Sequence, residues 1–211
     1  MQSLVVIKNS KAIKIAQAQI NNNEFTRSAA KLMATKPSIH KFTIALSDLD
    51  RNIYDSLNLT VARHPSETIE RMMVRVLAFC YNASENLVFC KGLSDSDEAD
   101  LWAKNLDGSL DLWIDVGEPA FDRIKKASRI AKAVRVYAFN TKASVWWSQQ
   151  QPQFSRLNVS VYRFPWEPLE ALANVVDRTM DLSVTISSGS AYVATANGEF
   201  ELTADVLQSV E

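Results

Sequence analysis

Residues 110–117 decide the fold: Leu110, Asp111, Leu112, Trp113, Ile114, Asp115, Val116 and Gly117. In an extended chain successive side chains alternate faces, so Leu110, Leu112, Ile114 and Val116 line one side, and Asp111, Trp113 and Asp115 the other. That is a strand. Gly117 and Pro119 end it and open a helix running to about Lys132, after which Val134 to Phe139 is a second apolar strand. A strand, helix and strand in this order predict parallel pairing with a right-handed crossover.

Upstream, Ile39 to Leu46 alternates, Asp48 to Asp50 supplies turn chemistry and Leu57 to Val61 alternates again, an opening hairpin. A helix is expected from Pro65 to about Asn82, with proline suited to its first position and Glu67 to the positive end of its dipole. Leu87 to Lys91 reads as a short strand and Asp97 to Asn105 as a short helix. Downstream, helices over Thr141 to Gln150 and Trp166 to Arg178 flank a strand from Leu157 to Tyr162. A hairpin turning at Ser188 and Gly189 pairs Leu182 to Ile186 with Ala191 to Thr195. The mixed order predicts one central α/β sheet with helices on both faces.

The chain has 211 residues, 47% hydrophobic and 22% charged, enough for one ordinary domain with a sizeable core. No apolar run approaches the roughly 20 residues of a membrane span, and Leu4 to Ile7 is too short for a secretory signal, so a cytoplasmic location is expected. Cys80 and Cys90 make no metal or disulfide spacing, and His40 and His64 are too few for a histidine-rich metal site. Residues 1–32 carry five bases against one acid, leaving 18 bases and 23 acids for the remainder. The N-terminal stretch reads as an appendage outside the core. It is either a targeting or interaction tail or, more simply, residues ahead of a true initiator at Met33, with the domain spanning 33–211. An acidic body argues against indiscriminate coating of nucleic acid, so such contact would rest on a local basic patch.

Acids on the strand and helices are the candidates for chemistry. Asp111 and Asp115 lie ~13 Å apart along their strand, too far to share one ion unaided. On the first helix Ile69, Met72, Met73, Val76, Leu77 and Cys80 form one apolar face. Glu70 borders that face while Glu67 points roughly 150° away, toward solvent. Arg123, Lys125, Lys126 and Arg129 make the helix after Asp115 basic, and such a run is usually a solvated face. A lysine near a metal-bound phosphodiester would neutralise developing charge. His64, near a helix start, suits a cap better than a base. Trp146, Trp147 and the run Tyr162 to Trp166 read as core. No glycine-rich phosphate loop, GxSxG or HExxH motif is present, and nothing points to an organic cofactor.

Several blocks strongly resemble the bacterial YaeQ family: Asp48 to Asn52, Leu59 to Met73, Asp111 to Gly117, Arg123 to Ala127 and Asp177 to Met180. The resemblance runs from about Met33 to the C-terminus and omits residues 1–32. It implies a restriction-endonuclease-like fold, a compact variant of the PD-(D/E)XK nucleases. In that fold a helix carries a glutamate, here Glu70 or Glu67, and strands carry acidic ligands, here Asp111 and Asp115. The usual lysine two residues after the second acid is replaced by Gly117, so Lys125 or Lys126 would have to substitute.

The leading expectation is therefore a nuclease that binds Mg²⁺ through Asp115 with Glu70 or Asp111, supported by Lys125 or Lys126, with Arg63, Arg71, Arg123 and Arg129 meeting nucleic acid. The alternative is an inactive nuclease-fold module acting with nucleic acid or the transcription machinery. A third reading is a purely structural or protein-interaction role. Fold analogy does not separate them.

Overall fold

The computed structural model describes residues 36–95 and 97–210, so the reading of residues 1–32 lies outside the described part. The opening hairpin pairs β1 (Ser38–Asp48) with β2 (Ile53–Arg63), in register from Ser38 opposite Arg63 to Asp48 opposite Ile53. Asp48 closes the turn by accepting hydrogen bonds from the Arg51 amide at 3.0 Å and Arg51 Nε at 2.6 Å. Helix α1 (Ile69–Tyr81) starts four residues later than proline placement suggests. The reason is a competing cap: Thr68 Oγ1 accepts from the Arg71 amide at 3.2 Å, which fixes the N-terminus there. Glu67 consequently lies ahead of the helix, and the wheel that turned it toward solvent does not apply.

Then follow β3 (Leu87–Phe89), a 3₁₀ turn (Gly92–Ser94), β4 (Leu101–Lys104) and β5 (Leu110–Val116). The stretch expected as a helix at 97–105 thus contains β4 instead. Its four residues alternate, with Leu101 and Ala103 buried, and pair antiparallel to β5. Helix α2 (Phe121–Ile130) leads directly into β6 (Ala131–Ala138), parallel to β5 as the strand-helix-strand reading predicts. Next come α3 (Ala143–Phe154), β7 (Ser160–Arg163) and α4 (Trp166–Ala173). The chain ends with β8 (Thr179–Ser187), β9 (Ser190–Thr195), β10 (Gly198–Thr203) and β11 (Asp205–Gln208).

The single central sheet is corrected to two. One has the order β10-β9-β8-β1-β2 and the other β11-β7-β6-β5-β4-β3. What divides them is the parallel pairing of β8 with β1, from Thr179 opposite Lys41 to Ile186 opposite Asp48, which draws the C-terminal hairpin to the opening hairpin.

Between the sheets lies one hydrophobic cluster shared by Ile44 and Leu46 of the first sheet, Leu77 of α1, Leu169 of α4, and Ile114 and Val116 of β5. The opposite face of the second sheet presents Val134 and Val136 to Ile124 of α2 and Phe154 of α3. The layers therefore run sheet, helices, sheet, helices. Covered on both faces, β5 is buried from Trp113 through Val116, so Asp115 is drawn into the interior.

Helix α1 is buried from Met72 through Cys80 on every side. Ala78 sits opposite the apolar stripe read from the sequence and is nonetheless fully buried. On a solvated face Ala78→Glu would be nearly neutral; buried here, it is expected to destabilise the protein by about 3 kcal/mol or more. Urea unfolding with matched m-values checks this.

Candidate functional site

Where α1, β4, β5 and α2 meet, a recess of about 470 Å³ is lined by Arg71, Asp100, Asp115, Gly117, Arg123 and Asn140, among others. Asp100, just ahead of β4, and Asp115 are 3% and 2% exposed. Two carboxylates so deep need counter-charge, because an unpaired buried ion costs several kcal/mol. Arg71 Nη2 donates to both oxygens of Asp100, at 2.9 and 2.8 Å, and the Val116 amide donates to Asp100 Oδ2 at 2.7 Å. Arg71 Nη1 donates to Glu67 Oε1 at 2.9 Å, so one guanidinium spans two carboxylates. Behind it Arg75 grips Glu67 through Nε at 2.8 Å and Nη2 at 2.6 Å. Asp115 accepts from Arg123 Nε at 2.7 Å and Nη2 at 2.9 Å, and Arg123 Nη2 also donates to the Glu98 carbonyl at 2.7 Å.

Burial pushes the Asp115 carboxyl above the ordinary carboxylate range; its bonds to Arg123 pull it back, and nearby Asp100 pushes it up again. The Arg123 guanidinium is held charged by Asp115 against its own desolvation. Trp113 Nε1 is buried without a partner in ordinary hydrogen-bond geometry, yet it lies near enough to Asp115 to favour the ionised form.

The expected site residues do not come together. Asp115 lines the recess, but Asp111 stands at the exposed start of β5, 3.0 Å from Lys132 Nζ. Glu70 is half-buried in the first turn of α1 and makes no ion pair with a described residue. Glu67, expected to face solvent, is 3% exposed. Of the two candidate lysines, Lys126 meets Asp97 at 2.8 Å on the surface, and Lys125 Nζ lies over the Phe121 ring, 5.6 Å from its centre. Among the bases expected to meet nucleic acid, Arg71 and Arg123 are committed to the buried acids. Arg63 binds the Ser38 hydroxyl at 3.2 Å and the Glu67 carbonyl at 2.7 Å. Arg129 is exposed in the last turn of α2. His64 makes a 2.6 Å hydrogen bond with the Ser66 hydroxyl and accepts from the Ser66 amide, as a turn-forming residue does.

Among the described residues no three His, Cys, Asp or Glu side chains are disposed to hold a metal ion. The oxygens of Asp100 and Asp115 are already engaged by guanidinium donors, so the residues present do not fit a Mg²⁺ site as arranged. Sequence reasoning missed Asp100 because it lay in a stretch read as helical. The signal available was the alternation of Leu101 and Ala103 beyond it.

The fold and recess define a two-sheet α/β protein with a buried, arginine-neutralised acidic site. The family model described as YaeQ protein matches residues 33–204, and the chain belongs to the YaeQ family. It is 43% identical over 172 residues to protein YaeQ of Salmonella typhi and 41% identical to that of Escherichia coli K12, in each case across 81% of this chain and 95% of the relative. The crystal structure of the YaeQ protein from Xanthomonas axonopodis pv. citri superposes with a TM-score of 0.80 at 35% identity, over 82% of this chain and 99% of that one. The Pseudomonas syringae YaeQ structure gives 0.79 at 39%, over 82% and 97%. No helix among the described residues is long and apolar enough to cross a membrane.

Arg123→Ala leaves Asp115 buried without its guanidinium, and a loss of about 3 kcal/mol is expected at pH 7. Losing its main opposing partner raises the folded-state carboxyl further, so the folded variant takes up a proton that the unfolded chain releases. The deficit relative to wild type is therefore present at neutral pH and shrinks as pH falls toward the ordinary carboxylate value of 3.8. Unfolding curves of both proteins across that range check the sign.

Proposed function

We propose that the chain uses a nuclease-like framework as a metal-independent binding module for nucleic acid rather than as a phosphodiesterase. The observation that carries the reading is the arginine grip on both acids of the recess: four Arg-carboxylate hydrogen bonds of 2.7 to 2.9 Å to Asp100 and Asp115. Breaking a buried pair costs about 3–5 kcal/mol. A divalent ion would enter only by displacing both guanidinium groups, each of which would then need a new partner, so the pairs as arranged oppose it.

Contact with nucleic acid then falls to cations outside these pairs. Lys125 and Arg129 sit on α2, the helix that supplies Arg123 to the recess. Two cations on that helix imply weak binding with a shallow salt dependence, since each neutralised phosphate adds roughly 0.9 to the slope of log K against log salt.

A second reading, metal-dependent hydrolysis of phosphodiesters, draws on the shared recess of Asp100 and Asp115, whose rim adds Asp95 and Glu118. The excess of acid there favours a cation once the arginines swing away.

The two readings part in one experiment, with labelled single- and double-stranded DNA and RNA incubated with wild type and Asp115→Asn in Mg²⁺, Mn²⁺ or EDTA. The expected result is binding that persists in EDTA, weakens with salt and leaves the strands intact. Metal-dependent nicking lost in Asp115→Asn would replace this proposal with the hydrolase, and failure to bind any of the probes would remove nucleic acid as the ligand.

A further inference from the structure

A second recess, of about 170 Å³, opens where the C-terminal end of α1 meets both sheets, and it shares no lining residue with the first. Its walls include Arg135 and Tyr137 of β6, Tyr162 of β7, Tyr81 of α1, and Val206 of β11. The charged groups around it can be matched one by one. Asp48 is paired with Arg51 at 2.6 Å, and Arg51 also donates to the Ala83 and Cys80 carbonyls at the end of α1. Asp50, at the rim, accepts the Ser188 and Gly189 amides at 2.7 and 2.9 Å. Tyr81 donates to the Gly189 carbonyl at 2.8 Å.

Arg135 is different. Its Nη1 donates to Asn82 Oδ1, and it forms no ion pair with a described residue. Asn82 is itself fixed, being 3% exposed and donating to the Ala78 carbonyl at 2.6 Å and the Tyr137 hydroxyl at 2.8 Å. The guanidinium is therefore held in place by a neutral amide, so it is positioned without being neutralised. A mostly buried cation of this kind, with donors to spare, is half of a charge-assisted pair. Burial keeps the Tyr81 and Tyr137 hydroxyls protonated, so neither supplies the missing negative charge. Tyr162 stacks on Tyr137 with ring centres 5.0 Å apart, and its hydroxyl makes no hydrogen bond to a described residue. Val206, 61% exposed, forms the lip.

We propose that Arg135 anchors a binding site for a small oxyanion, a phosphate or a carboxylate, with the Tyr162 hydroxyl as second donor and the ligand body against Val206. The site is independent of the nucleic-acid reading above, because none of its residues belongs to that recess. The rival role for Arg135 is to offset the negative end of the α1 dipole. That role needs no ligand.

Titration calorimetry at constant ionic strength, with inorganic phosphate in one arm and acetate in the other, distinguishes them. Saturable one-to-one binding in at least one arm is expected; phosphate alone names a phosphate ligand and acetate alone a carboxylate. Arg135→Gln should weaken it tenfold or more, while Arg135→Lys, which keeps the charge, retains part of it. Val206→Glu changes an exposed position and places a negative charge at the lip, so it should weaken binding severalfold even if Arg135→Gln fails to fold. No saturable binding of either anion to wild type would overturn the proposal. So would variants that bind like wild type, including an Arg135→Gln protein that is merely less stable.

Discussion

A carboxylate leaves water only in the company of a cation, and three of the four buried carboxylates among the described residues gather around the start of α1 and the strands β4 and β5. Glu67, Asp100 and Asp115 are each 3% exposed or less. Arg75, Arg71 and Arg123 answer them, one arginine to each with Arg71 shared. Such pairs are close to neutral in net stability, because desolvation consumes most of the Coulombic gain. Their contribution is geometric. Arg71 fastens α1 to the approach of β4, Asp100 fastens β4 to the Val116 amide of β5, and Arg123 fastens α2 to β5 and to the Glu98 carbonyl.

This pairing also explains how a helix with an ordinary amphipathic sequence comes to be buried all round. On α1 the apolar stripe centred on Met73 and Val76 lies diametrically opposite Arg71, Arg75 and Ala78, a face that normally meets water. Here the arginines turn inward because Glu67, Asp100 and the Ala62 carbonyl wait for them, the last at 3.0 Å from Arg75 Nη2. Both sheets pack on this helix through one apolar cluster, while its arginines reach the Ala62 carbonyl of the first sheet and Asp100 beside the second.

What was legible in the sequence follows from what is local. Alternation in residues 110–116 identifies β5, and the next twenty residues identify α2 and β6, because a strand and a helix differ in period. The hairpin of β1 and β2 is equally local. Pairing between distant strands is not: nothing in the period of β8 says that it lies beside β1 rather than β6, so one sheet was expected where two exist. Short strands fail for a related reason. Four residues such as Leu101 to Lys104 hold too few alternations to outweigh helix-compatible neighbours, and with β4 misread Asp100 was lost. β10 and β11 went unread as well. Glu67 failed on one physical point, the Thr68 cap, which places it before the helix and voids any angle measured along it.

Gly117 brings the local and the distant together. It has φ +102, a left-handed conformation that strains a side chain with a Cβ, so the lysine expected two residues after Asp115 would be unfavourable there. The positive charge instead arrives from α1 and α2 as Arg71 and Arg123. The exchange is not conservative: a guanidinium is planar, grips a carboxylate with two donors and stays charged at any physiological pH, whereas an ammonium is a point charge that can release its proton. The described residues lining the recess include no histidine, cysteine or lysine. Asp115 is raised above the ordinary carboxylate range by burial yet held by its arginine, and Asp100 is held likewise by Arg71.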